Sequence, residues 1–284
     1  MIPVVGFVTW NRMGMNIQNI ELLLKTNEDF ELYIVDNGSN DNTWEYLSTL
    51  KDERIKEIKK FDKNNGLVYA LNYTISKRRK NQPFINIDSD VSILNDNWIQ
   101  NCENIIKEFP EVGILGNVRP TYFKERNVPY TEKIRNNIKF WHTNSLIGCC
   151  MYFPSDTLDK IGYFNEEIYL PDIEIYGRVK ILNKWLGYCP DNKILYKPIN
   201  CSFCQHNGLC KNPKIINGVP NCFIYYNENY KHGKIFEKNN KLLKKFLREV
   251  NKDNLYCPSI HDSESIKKYP YNIELARSNF RFFN

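Results

Sequence analysis

Apolar positions along the chain switch between short continuous runs and helical stripes. Val4 to Thr9 is a run rich in β-branched residues, the pattern of a strand buried on both faces. Ile17, Ile20, Leu23 and Leu24 then fall on one side of a helix over 16–25. Phe30 to Val35 is a second strand, closed by the turn cluster Asp36-Asn37-Gly38-Ser39-Asn40-Asp41. Trp44, Leu47 and Leu50 mark a short helix, and Ile55 to Phe61 alternates as a third strand. Leu67, Val68, Leu71 and Ile75 line a helix opened by Asn64-Asn65-Gly66, and the fourth strand, Phe84 to Ile87, runs straight into Asp88-Ser89-Asp90. Strand and helix in strict alternation predict an α/β fold, a mostly parallel central sheet with helices on both faces.

Beyond residue 95 the pattern is less regular. Trp98, Cys102, Ile105, Ile106 and Phe109 form a helical stripe, and Val112 to Leu115 a strand. Residues 117–145 have no clear period and read as a long loop with short elements, the kind that carries function. Leu146 to Phe153 reads as a strand, Ser155 as the cap of a short helix, Asp172 to Trp185 as a helix and Tyr196 to Ile199 as a strand. A basic amphipathic helix follows, lined by Ile235, Phe236, Leu242, Leu243, Phe246, Leu247 and Val250, and the tail from Asn251 has no evident pattern. The expected organisation is one domain over 1–230, with a first half over 1–95 and a second over 96–230, and a C-terminal helical and irregular extension over 231–284.

Composition adds limits. At 284 residues with 42% hydrophobic and 25% charged, the chain can fold around its own core. Its longest apolar runs fall short of the ~20 residues of a membrane span. Met-Ile-Pro-Val-Val-Gly has neither a basic leader nor a small-residue cleavage site, so a cytoplasmic protein is expected. A net charge of +6 allows an anionic substrate or peripheral contact with a membrane surface and demands neither.

Ligands of open parallel sheets sit beyond the carboxyl ends of the strands. Three polar clusters fall there: Thr9-Trp10-Asn11-Arg12, Asp36-Asn37 and Asp88-Ser89-Asp90. Each alone suits a turn, because Asp and Asn bond the local backbone. Together, ending in paired carboxylates, they suit a hard divalent cation, Mg²⁺ or Mn²⁺, that takes its remaining ligands from a nucleotide diphosphate. No glycine-rich dinucleotide loop and no phosphate-binding loop follows the first strand, which disfavours redox and P-loop chemistry.

The ordered strings VTWNR, IVDNGSNDNT, NNGLVYALNYTIS and INIDSDV resemble the nucleotide-sugar half of a GT-A glycosyltransferase of the family 2 type. FNEEIYLPDIEIYGRVKILNKWLGY resembles the acceptor-side signature of that family, and QHNGLC its late His-x-x-Gly element. The resemblance implies a nucleotide-diphosphate sugar donor, a bound divalent metal and inverting transfer to an acceptor hydroxyl. It implies that Thr9, Asn11 and Arg12 line the nucleotide site and that Asp36, helped by Asn37, meets the base. Gly66 would let the backbone approach the nucleotide, and Asn72 would hold the following helix near it. Asp88 would lie at the ribose or metal with Ser89 in the nucleotide-sugar site, Asp90 would bind the metal, His206 would be a third metal ligand or a diphosphate contact, and Asp172 would be the catalytic base. The chain departs from the family with Pro171 before Asp172 and Glu174 after it. Asp172 also suits a helix N-cap, and Glu174 with Arg178 an ordinary helix pair.

Nine cysteines are present. Cys102, Cys149, Cys150 and Cys189 sit among apolar residues and read as core. Cys201, Cys204, Cys210 and Cys222 crowd one segment and can form a structural zinc site or stay as packed thiols. Trp141, His142, Tyr122 and Tyr130 can stack on a sugar or pack in the core. Two rival classes remain: a sugar nucleotidyltransferase, and a zinc-stabilised nucleic-acid-binding protein using the basic helix. The donor, the acceptor and any homo-oligomer stay open.

Overall fold

The structure is a computed structural model that describes residues 1–118, 129–196, 214–216, 219–221 and 223–281. The first half follows the predicted alternation: β1 (Val4–Thr9), α1 (Met13–Leu24), β2 (Glu31–Asp36), α2 (Thr43–Leu47), β3 (Ile55–Lys60), α3 (Leu67–Ile75) and β4 (Phe84–Asp88). β3, β2, β1 and β4 lie side by side and are parallel throughout. Their polar carboxyl-end clusters therefore come to one rim.

The second half extends the sheet with both strand directions. After β5 (Val91–Ile93) and α4 (Trp98–Glu108) come β6 (Val112–Gly116), β7 (Tyr130–Arg135), β8 (Ile138–Thr143) and β9 (Cys150–Phe153). Then follow α5 (Ser155–Ile161), α6 (Pro171–Ile181), β10 (Trp185–Tyr188) and β11 (Ile194–Tyr196). The nine-stranded sheet runs β3-β2-β1-β4-β9-β6-β10-β8-β7, with β9 antiparallel to both β4 and β6. A small sheet pairs β11 with β5, setting Tyr196 beside Val91. Beyond a two-stranded ribbon, β12 (Lys214–Ile216) and β13 (Val219–Asn221), the chain ends in α7 (Phe223–Glu249), α8 (Ser263–Lys268) and α9 (Ile273–Phe280).

Alternation along the strands divides the core into two layers. Val4 and Val8 of β1 face a cluster with Leu71, Ile75, Phe164 and Ile175, built from α3 and α6. Val5 and Phe7 face Ile20, Leu23, Trp98 and Cys102, built from α1 and α4. Cys102, Cys149, Cys150 and Cys189 are buried free thiols, as their apolar settings predict.

Several sequence expectations change. The stretch read as a loop over 117–145 holds the hairpin β7–β8, paired from Tyr130↔Thr143 to Arg135↔Ile138. Its two-residue turn is Asn136-Asn137, both at positive φ (46° and 64°), which asparagine tolerates. The strand expected over 146–153 forms only from Cys150. The helix expected to reach Trp185 stops at Ile181; Asn183 turns left-handed (φ 57°), and Trp185 instead starts a strand. Ser155 is the first helical residue of α5, with Pro154 at the cap position. Of the strand expected over 196–199, Tyr196 ends β11 (Ile194–Tyr196), and 197–199 lie outside the described residues.

Among the described residues, the outer strands of the large sheet are β3 and β7. β3 exposes Lys56, Lys59 and Lys60, and β7 exposes Glu132 and Arg135.

Candidate active site

The loop after β1 holds two consecutive left-handed residues, Asn11 (φ 59°) and Arg12 (φ 67°). Such backbone costs on the order of 1–3 kcal/mol per residue and needs support. Thr9 supplies part of it by donating to Asn16 Oδ1 (2.7 Å), while Asn16 donates to the Asn11 carbonyl (2.8 Å). Asn11 N–H donates to Ser39 Oγ (2.7 Å), and Asn40 N–H to Asn11 Oδ1 (2.9 Å). Thr9 and Asn11 thus tie the loops after β1 and β2 together and turn Arg12 toward Asp90, at 3.7 Å.

Asp36, at the end of β2, is fully buried. Its Oδ1 accepts from Ser39 N–H (2.9 Å), but Oδ2 has no partner, and burial pushes its pKa up. Asn37 grips the next loop: it donates to Asn64 Oδ1 (3.0 Å) and the Gly66 carbonyl (3.2 Å), and accepts from Asn65 N–H (3.1 Å). Gly66, at φ 81° and ψ 168°, opens α3 in a conformation that a side chain would oppose.

Asp88 ends β4, and its N–H donates to the Cys149 carbonyl (2.9 Å). Its Oδ1 is buried without a partner, as is Asp90 Oδ1. Burial and the nearby charges of Asp90 and Asp172 hold the Asp88 carboxyl well above the usual range. Burial also pushes Asp90 up to about 6, against the pull of Arg12. Asn19 of α1 fixes this turn by donating to the Ser89 carbonyl (2.6 Å) and accepting from Ser92 (2.6 Å). Sequence reasoning passed over Asn16 and Asn19. The available signal was two asparagines among the apolar positions of a helix, where a polar side chain needs a partner.

Asp172 is the second residue of α6, with Leu170 at the cap position and Pro171 first, so the N-cap alternative does not apply. It lines a cavity of about 200 Å³ together with Asp88, Leu67, Gly148, Cys149 and Tyr196. Residues from β4, the start of β9 and the start of α6 thus meet at one place. Tyr169 joins the two sides of the site: its hydroxyl donates to the Asn65 carbonyl and accepts from Val68 N–H, both at 3.3 Å. That residue was also missed, and no local pattern marked it.

Two predicted residues do different work. Asn72 is buried and bonds Phe164 N–H (3.0 Å), the Phe164 carbonyl (2.9 Å) and Glu166 Oε1 (2.9 Å), so it holds α3 to the segment before α6. Glu174 forms a doubly bonded pair with Arg178, 2.8 Å in each bond, with both side chains fully buried. This is no ordinary surface pair. Tyr130, exposed, stacks on Trp141 at 4.4 Å between ring centroids, and Trp141 is partly buried against the first core layer. His206, Cys201, Cys204, Cys210, Cys222 and Tyr122 lie outside the described residues. Among the described residues, no three His, Cys, Asp or Glu side chains gather as a metal cluster.

A parallel half-sheet with a carboxylate pair at its rim, joined to a mixed half that contributes an opposing carboxylate, is the GT-A arrangement. The sequence model of glycosyl transferase family 2 matches residues 7–162, and the chain belongs to that family. A search of the curated proteins returns no significant match. Among solved structures, TarS of S. aureus in complex with UDP-GlcNAc is similar at 18% identity and TM-score 0.54, covering 70% of this chain and 59% of that one. The mannosyltransferase PcManGT of Pyrobaculum calidifontis, in complex with GDP-Man and Mn²⁺, is similar at 16% identity and TM-score 0.52, covering 67% and 56%. GalNAc-T7 with UDP, GalNAc and Mn²⁺ is similar at 12% identity and TM-score 0.56, covering 87% and 50%. The chain thus spans between half and three fifths of these solved chains, the TarS one being residues 1–349, and 38% of a longer TarS chain; the likeness is one of fold. Among the described residues, no helix is long and apolar enough to cross a membrane.

Proposed function

We propose that the chain transfers a sugar from a nucleotide-diphosphate donor to an acceptor hydroxyl with inversion at the anomeric carbon. The observation that carries this reading is the placement of Asp88 and Asp172 on one cavity, the first with a buried oxygen lacking any partner. A polar atom left unpaired inside a protein costs about 1–3 kcal/mol, and one that recurs at a strand-end rim is best explained by a ligand.

Asp88 and Asp90 suit a hard divalent cation: two carboxylates, each with an unpartnered oxygen, and no soft donor in the pair. Such a cation, Mn²⁺ or Mg²⁺, supplies Lewis-acid neutralisation of the departing diphosphate when bound. The Mn²⁺ in the complexes of PcManGT and GalNAc-T7 supports this choice. His206 is the proposed third ligand, and a zinc site at Cys201, Cys204, Cys210 and Cys222 is a separate proposal that metal analysis can test.

The residues of the chain divide the remaining work. Asp36 offers its unpartnered oxygen to a nucleobase N–H. Gly66 keeps the backbone at the start of α3 open to the donor, and Arg12 places positive charge beside the carboxylate pair. Asp172 takes the proton of the acceptor hydroxyl as that oxygen bonds to the anomeric carbon, while the bond from carbon to the diphosphate oxygen breaks on the opposite side. Glu174 cannot share this role, because Arg178 and the Asn165 N–H occupy both of its oxygens.

The test is Asp172→Asn. A melting screen of nucleotide sugars with Mn²⁺, including UDP-N-acetylglucosamine and GDP-mannose, first identifies the donor, since a specific ligand raises stability by mass action. Turnover of that donor should then fall by about 10²–10⁴-fold in the variant while nucleotide affinity holds. Normal turnover removes Asp172 as the base.

A further inference from the structure

We infer that Gly148 is a positioning residue for Asp172: its bare Cα is the seat that fixes where the Asp172 carboxylate lies. This rests on the reading of Asp172 as the base. A Cβ built on Gly148 would stand 2.2 Å from Asp172 Oδ1, 2.6 Å from Cγ and 2.7 Å from Oδ2. All three nearest neighbours of that missing atom belong to one carboxylate. The Asp172 carboxylate is thus what a side chain at position 148 would meet first. The backbone of Gly148 is not in the left-handed region that only glycine favours. The one requirement visible at this position is room for the carboxylate.

The seat is held from below. Asn86, fully buried in β4, donates to the Gly148 carbonyl (2.8 Å) and accepts from Met151 N–H (3.1 Å). Two residues along the same strand, the Asp88 N–H donates to the Cys149 carbonyl (2.9 Å). Residues 148–151 are thus fastened to the strand that ends in Asp88. On the other side, Asp172 is anchored in the first turn of α6 behind Pro171. The distance between the donor-side carboxylate and the acceptor-side carboxylate is set through Gly148.

An added methyl group would push a short side chain, not the fold. Asp172 can yield only by rotating its carboxylate away, because its backbone is fixed in the helix. Reacting groups misplaced by about 1 Å can cost 10²-fold in rate. Gly148→Ala should therefore lower donor turnover by about 10²-fold while nucleotide affinity in Mn²⁺ and melting temperature stay at wild-type values.

The deciding experiment is a double-mutant cycle on donor turnover with Gly148→Ala, Asp172→Asn and the pair. Two residues that act as one unit are not additive. In the Asp172→Asn background, Gly148→Ala should cost nothing more. Near-normal turnover of Gly148→Ala beside a crippled Asp172→Asn overturns the seat and leaves the base standing. Multiplying losses in the double variant also overturn the seat, since Gly148 would then act on something other than Asp172. Normal turnover of Asp172→Asn overturns the base and the seat together.

Discussion

Two groups of carboxylates are buried in this chain, and they differ in who satisfies them. Glu166 lies in the segment before α6 and Glu174 in the first turn of α6. Glu166 accepts from Asn72, Ser259 (2.6 Å), Ile260 N–H (3.0 Å) and Tyr271, and Glu174 from Arg178 and Asn165 N–H (2.8 Å). Arg178 spends its remaining donors on the carbonyls of Ile161, Tyr163 (2.8 Å) and Leu255. At the rim of β2 and β4 the contrast is plain: Asp36, Asp88 and Asp90 each keep a buried oxygen without a partner. Burial raises the pKa in both groups, but only the first is met by a full set of donors from the chain itself. A complete internal network marks a structural carboxylate, and the incomplete one at the rim is what supports the proposed metal and nucleotide contacts.

The comparison can be broken from its structural side first. Arg178→Met should leave Glu174 buried and unpaired and destabilise the fold by about 3–5 kcal/mol in denaturant titration. A loss below that range would mean that the Glu174 network is not the anchor it resembles.

The tail gives the next largest effect. His261 packs edge-on against Tyr69 at 4.3 Å between centroids, and its Nε2 lies 3.0 Å from the Tyr69 carbonyl. Burial lowers its pKa from the ordinary 6.5 to about 4. A depressed pKa contributes stability that is full above the unfolded value and is lost as pH falls toward the folded one. Stability should drop by about 3 kcal/mol between pH 6.5 and 4 from this group alone. His261→Gln should flatten that part of the profile in melts across the same range; an unchanged profile would place the acid sensitivity elsewhere.

On the open side, Asp36→Ala should weaken nucleotide binding by about 1.5–3 kcal/mol, the value of a hydrogen bond with a charged partner. Unchanged affinity by calorimetry would make Asp36 a turn residue only. The smallest effect sharpens the contrast most. Asp88→Asn should change folding stability by under about 1 kcal/mol, or raise it, because it removes a charge the chain does not satisfy. A large loss of stability would move Asp88 into the structural group.

How far these features were legible follows the same division. The parallel half was readable because each strand is a local apolar run that ends in its own polar cluster, so Thr9, Asp36 and Asp88 fall at one rim once the strands are parallel. Asp172 was found through a resemblance; its neighbour Glu174 read as half of an ordinary helix pair, and nothing local foretold its full burial with Arg178. Asn19, Tyr169 and Gly148 act across gaps of tens of residues, and no periodicity in one segment reports a contact with another. The β7–β8 hairpin was missed for a different reason. Its alternation is weak because Tyr130 and Ile134 are apolar yet exposed, and the Asn136-Asn137 turn was the clearer sign.

The charged margins of the large sheet bear on how the molecule behaves in a crowd. Among the described residues β3 and β7 have no outer neighbour, and a sheet edge left so offers a row of amide groups to a passing strand, the geometry from which fibrils grow. Lys56, Lys59 and Lys60 along β3, and Glu132 and Arg135 along β7, would have to be stripped of water or set against like charges for a second copy to add on. A lysine-rich margin is thus a guard against strand addition at high concentration, while both faces of the sheet are already covered by the chain's own helices.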